Sequence, residues 1–244
     1  MENTNPLSMK RRNPRWLKIL VIVGAIWGVI VLIIAAFSDP TPENLALFFS
    51  ITGSGLYTYI LYRTRERWMP RLAGDRLRNA ILLGIFNAAF IETLFLIIEK
   101  LFGASGVAAH PNLLIDLLIT MPWYILMVFS FCRIQERYQY SDAAVLLIGA
   151  VYELGADGIV GGQVMPLLSG NVINLWQSWA YLLIFSLWQF IPVYSSMLLP
   201  SAWLLDDTPQ TNINKATRWM RPLWWLIPFT IYLIWLLTTF FTNN

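Results

Sequence analysis

The sequence predicts an all-α membrane protein: one bundle of seven transmembrane helices, N-terminus in the cytoplasm and C-terminus outside. Three observations predict it. Of the 244 residues, 57% are hydrophobic and only 13% charged, whereas soluble domains carry roughly a quarter charged residues. The apolar residues gather into seven runs near the length of about 20 that a helix needs to cross the hydrocarbon core. With alternating spans, the Lys and Arg residues fall almost entirely on one side. Twelve Trp, ten Tyr and fourteen Phe suit a chain that meets lipid interfaces, where amphipathic rings collect.

Residues 1–18 read as a basic cytoplasmic tail carrying Lys10, Arg11, Arg12, Arg15 and Lys18. The apolar run 19–37 is longer than a signal-peptide core of roughly 7–15 residues and has no A-x-A exit before Ser38, so it reads as an uncleaved first span. Further spans are expected near 45–62, 79–102, 113–132, 143–168, 175–199 and 223–241. Residues 19–241 thus form one transmembrane domain, followed by a short external tail at 242–244. The connections are short and rich in Pro, Gly or charge, as in Asp39-Pro-Thr-Pro-Glu-Asn.

Orientation follows from the basic residues. Five lie in the tail, six in 63–78, two in 133–142 and three in 201–222, which leaves Lys100 alone on the opposite side. Topology therefore accounts for the charge of the Arg63–Arg78 segment. The partner expected there is anionic lipid headgroups, not nucleic acid. The expected location is the cell membrane.

Composition excludes several chemistries. One Cys and one His rule out a disulfide framework and a Cys/His zinc site, which takes about four ligands. Paired-His haem and His-rich diiron sites fail on the same count. No Lys lies mid-span for a retinal Schiff base. Gly103-Ala104-Ser105-Gly106 is similar to the serine motif of rhomboid proteases, but the sole His110 sits in the same loop, which removes the dyad geometry. Asp116 and Asp157 on neighbouring spans are similar to the pair of intramembrane aspartyl proteases, yet Leu154-Gly155-Ala156 stands where that motif has Gly-x-Gly.

The remaining chemistry centres on 149–170, which holds six of the fourteen glycines together with Glu153 and Asp157. Carboxylates inside a span are costly and usually face a cavity or partner. Glu153 lies mid-span and Asp157 one turn further out on the same face. Glu92 lies past the middle of the third span, Glu99 near its outer end and Asp116 at the outer start of the fourth, with Thr120 on its face. All fall in the outer half. Helices three, four and five are expected to bring these faces into an outward-facing pocket, with Asn87, Gln163, Asn171, Asn174 and Gln177 in its walls and Trp176, Trp179 and Tyr181 at its rim.

Two nearby carboxyls in a low-dielectric site share a proton or hold a cation. Glu153, Asp157, Glu92 and His110 are therefore the acid–base candidates. Glu153, Asp157 and Asp116 are the oxygen ligands for a hard divalent cation. Glu99, Lys100 and Asp116 equally suit interfacial hydrogen bonding. The favoured reading is a small cation- or proton-linked transporter or channel-like protein, hinged at the span-five glycines. The alternative is a membrane-embedded enzyme acting on a lipid or isoprenoid, with Glu153 and Asp157 as acid and base. A third reading is an assembly partner, associating through the small-residue faces Gly24-x-x-x-Gly28 and Gly158-x-x-x-Gly162. Pro122, Pro192 and Pro228 mark expected kinks.

Overall fold

The computed structural model of the chain describes residues 15–72, 74–156, 180, 182–189 and 191–206. Every regular element among them is helical. Four helices are long and apolar enough to cross a membrane: α1 (Arg15–Ser38), α2 (Pro42–Trp68, continued by the 3-10 turn Met69–Leu72), α3 (Arg76–Phe102) and α4 (Leu113–Tyr138). α5 (Asp142–Glu153) is followed by a wider π-type turn at 154–156. A π turn Leu182–Ser186 and a short helical segment Leu187–Gln189 lead into α6 (Ile191–Leu204). The segment before residue 190 and α6 together form a fifth candidate span, bent by 44°. The bend falls beside Pro192, whose ring and missing N–H prevent a continuous helix. The rest of the fifth and sixth predicted spans, and all of the seventh, lie outside the described residues.

Helices are the expected solution here, because a backbone in hydrocarbon must satisfy its own polar groups. The ends are set by local chemistry. Thr41 Oγ1 accepts the N–H of Asn44 at 3.2 Å with Pro42 at the first position of α2, an arrangement in which the missing proline N–H costs nothing. Asp75 caps α3 by accepting from Arg78 N at 3.1 Å. Gly103, with φ +65°, closes it, a conformation that an L side chain rarely adopts. Asn112 caps α4 through Leu114 N at 3.0 Å. The α4–α5 turn is pinned by Gln135: its Nε2 donates to Tyr140 O at 3.1 Å and its Oε1 accepts Tyr140 N at 3.0 Å.

α2 corrects the expected boundary. Helix continues through Arg63, Arg65 and Arg67 to Trp68, where a connection was expected from residue 63. Arg is a good helix former, and Arg65 lies 4.2 Å from the Tyr62 ring centroid, so the charged turn stays helical while its guanidinium covers an aromatic face.

α6 is the axis of the bundle. All its residues except Pro192 are buried, and it packs against α2, α3, α4 and α5. Small residues permit the approach. A Cβ at Gly84 would meet Val128 Cγ1 at 2.5 Å and Ser201 Oγ at 2.9 Å, and one at Gly149 would meet Ser195 N at 3.2 Å. Ser201 Oγ also donates to Ala80 O at 2.7 Å. On α1, the Gly24 and Gly28 face is filled by Trp188 of the same chain, and Trp27 Nε1 donates to Ile184 O at 2.7 Å. This small-residue pair serves packing within the chain. The opposite flanks of α1–α4 expose Ile, Leu and Phe side chains, as a lipid-facing surface requires.

Candidate functional site

A cavity of about 560 Å³ lies at the end of the bundle where α2 begins, α3 ends and α4 begins. This is the end opposite the Arg-rich 63–78 segment. α5 brings Glu153 to it as its last residue, only 3% exposed. α3 brings Glu92, whose carboxylate accepts a hydrogen bond from the Tyr124 hydroxyl of α4. α2 brings Glu43 from its first turn, together with Asn44 and Leu47. Phe95, Thr120, Tyr124 and Val193 complete the helical walls, and Ser105–Ala109 of the α3–α4 loop form the remaining wall. The described lining thus carries three carboxyl groups and no Lys, Arg or His.

The loop is built by carboxylates of its own. Glu99 Oε2 accepts Val107 N at 2.7 Å and Ala108 N at 2.6 Å. Asp116 Oδ1 accepts His110 N at 3.0 Å. His110 Nδ1 in turn accepts Asn112 N at 2.9 Å, so its proton sits on Nε2 when the ring is neutral. Two buried acids and the single histidine are thereby spent on holding a ten-residue connection in place, since backbone N–H groups away from water need partners.

The structure therefore brings together Glu92 and Glu153 of the predicted site, with Thr120 beside them. It does not bring Asp116 or His110 to the cavity. Asp116 Oδ1 and His110 Nδ1 are engaged with the backbone of the α3–α4 loop. Among the described residues no group of three or more His, Cys, Asp or Glu is placed to hold a metal ion. Asn87, expected in the wall, is fully buried between α2 and α3 and accepts the Tyr57 hydroxyl at 2.8 Å. Asp157 lies outside the described residues, as do Gln163, Asn171, Asn174, Trp176, Gln177, Trp179, Tyr181 and the Gly158/Gly162 pair.

Of the lining residues not singled out from sequence, Glu43 and Tyr124 bear most on the chemistry. Glu43 stands in a Pro-rich connection, and its signal was the Thr41-Pro42-Glu43 helix start. Tyr124 lies four residues beyond Thr120. Extending the Asp116–Thr120 stripe by one turn reaches it.

These features define a class: an all-helical chain that has, among the described residues, four helices fit to cross a membrane and a carboxyl-lined cavity near one end of its bundle. Comparison with protein-family models, curated proteins and solved structures found no match.

Proposed function

We propose that this is a multi-pass protein of the cell membrane, with seven spans, a cytoplasmic N-terminus and an external C-terminus. We propose further that it is a small proton- or cation-linked transporter whose cavity opens outward. The supporting observation is that Glu153, buried at the end of α5, and Glu92, half-buried on α3, line one cavity with Glu43. Each embedded carboxylate costs roughly 2.5–3.5 kcal/mol to insert even on the gentlest measures, a cost that a purely structural wall does not require. A lining whose described residues carry three carboxyl groups and no basic side chain attracts protons and cations and repels anions. The π-type turn at 154–156 supports a hinge directly after Glu153, because such turns interrupt helical stiffness and recur at functional sites.

The test is ion flux through purified protein in proteoliposomes containing a pH-sensitive dye, with the potential clamped by valinomycin. Wild type is expected to carry protons, alone or coupled to an added cation, and Glu153→Gln and Glu92→Gln to lose that flux. Equal flux in wild type, variants and protein-free vesicles would falsify the proposal. A C-terminal reporter accessible only from the cytoplasm would overturn the seven-span orientation.

A further inference from the structure

We infer that the arginine-bearing end of α2 is a binding surface for anionic phospholipid, with acyl chains along α2 and the phosphate held by Arg63, Arg67 and Arg71. This surface lies at the end of the bundle opposite the cavity, and the inference does not rest on the transport reading.

Position gives the first part. α2 is 27 residues long, roughly 40 Å at about 1.5 Å per residue, against a hydrocarbon core of roughly 30 Å. A crossing of about 20 residues that begins at Leu45 is complete near Thr64. Helix continues to Trp68 and then, as the 3-10 turn, to Leu72. Arg63, Arg67 and Arg71 therefore stand at and just beyond headgroup depth, about a turn apart.

Facing gives the second part. Leu56 and Ile60 are exposed at 58% and 49%, and Arg63, Arg67 and Arg71 are exposed beyond them. At about 100° per residue, Leu56, Ile60, Arg63 and Arg67 fall within an arc of about 60°. One face of α2 thus passes directly from bare apolar side chains to bare guanidiniums. A soluble anion would use only the guanidiniums. A phospholipid matches both halves of the face, with its acyl chains on Leu56 and Ile60 and its phosphate beyond them.

Chemistry gives the third part. A guanidinium keeps its charge and forms paired hydrogen bonds with phosphate oxygens. The 63–78 segment carries six Arg against two acids, Glu66 and Asp75. Asp75 Oδ1 accepts Arg78 N as the cap of α3, and Glu66 stands about 100° round the helix from Arg67. Arg65 is off the stripe, its guanidinium 4.2 Å from the Tyr62 ring centroid.

The experiment is native mass spectrometry of the full chain released from nanodiscs of equimolar phosphatidylglycerol and phosphatidylcholine with matched acyl chains. Wild type is expected to retain phosphatidylglycerol in preference to phosphatidylcholine, and less so as ionic strength rises. Arg63→Gln, Arg67→Gln and Arg71→Gln should each lower that preference about fivefold, the scale of one basic residue at an anionic surface. Arg65→Gln should change it least of the four. Replacing all three stripe arginines by Lys keeps the charge and should retain most of the preference, which separates lost charge from a damaged helix.

Equal retention of the two lipids by wild type would overturn the inference, as would a preference that survives the three Gln substitutions together. A loss in Arg65→Gln as large as in Arg67→Gln would overturn the stripe as the site. Displacement of phosphatidylglycerol by inorganic phosphate at equal concentration would reveal a site for a soluble anion and overturn the lipid as occupant.

Discussion

Replacing Glu99 by Ala should release the outer wall of the cavity while leaving the helices intact. Glu99 is buried near the end of α3, and its Oε2 accepts Val107 N at 2.7 Å and Ala108 N at 2.6 Å. Both bonds are short, as expected where the acceptor is a carboxylate. Truncation leaves two donors without this acceptor, each costing about 1–3 kcal/mol if it stays dry. Exposed neighbours at Ser105 and Gly106 let water reach the freed groups, which favours the low end. About 2 kcal/mol in total is the working figure, equivalent to a roughly thirtyfold rise in local opening at about 1.4 kcal/mol per decade. Hydrogen–deuterium exchange by mass spectrometry in nanodiscs reads this directly. Peptides covering 103–112 should exchange about thirtyfold faster in Glu99→Ala, while those of α4 and α6 keep their protection. Glu99→Gln retains an acceptor oxygen and should fall between the two. Unchanged exchange at Val107 and Ala108 would show that the carboxylate does not hold the loop, and acceleration throughout the chain would show that Glu99 supports the whole fold.

Other substitutions test the packing and the site separately. Gly84→Val forces a side chain into Val128 and Ser201 and should cost about 1–3 kcal/mol by overpacking, read as a lower midpoint in fluorescence-detected thermal unfolding. Gly55→Ala serves as its counterpart, because the nearest atom to a Cβ there is Pro192 Cβ at 3.5 Å; a neutral or slightly raised midpoint is expected, up to about 1 kcal/mol from helix propensity. Gln135→Leu strips both bonds from the Tyr140 backbone and should destabilise by about 2–4 kcal/mol through two unsatisfied buried groups, with exchange rising first at 138–142. Tyr124→Phe removes the hydroxyl that donates to Glu92 but keeps the ring, so it should alter ion flux or its pH profile while lowering stability by no more than about 1–3 kcal/mol; an identical flux profile would remove Tyr124 from the site.

Much of the architecture was legible because a lipid-facing backbone has few options. An apolar run of adequate length becomes a helix that satisfies its own polar groups. The runs at 19–37 and 79–102 accordingly appear within α1 and α3 with modest extensions, and 113–132 within α4, which runs on through Arg133 and Arg137 to Tyr138. The run at 45–62 was too short by the whole charged turn to Trp68. Hydropathy ends where charge begins, but the backbone hydrogen bonding of a helix does not.

The sequence alone determined that this chain is helical, membrane-directed and supplied with acids in the half of its spans away from the basic side, because the period, length and charge of the runs are local properties. It also pointed to Glu92 and Glu153. It could not distinguish these from Glu99, Asp116 and His110, which share their residue types and depth. Only the tertiary structure separated them: the first two face a cavity between helices, and the other three fold back onto the backbone of the loop beside them. It likewise brought Glu43 across from the start of α2 and turned the Gly24/Gly28 face into the seat of Trp188. The physical reason is common to all of these cases. Residue type and helical phase state which side of its own helix a group occupies, but what lies opposite depends on how the helices and the loop pack.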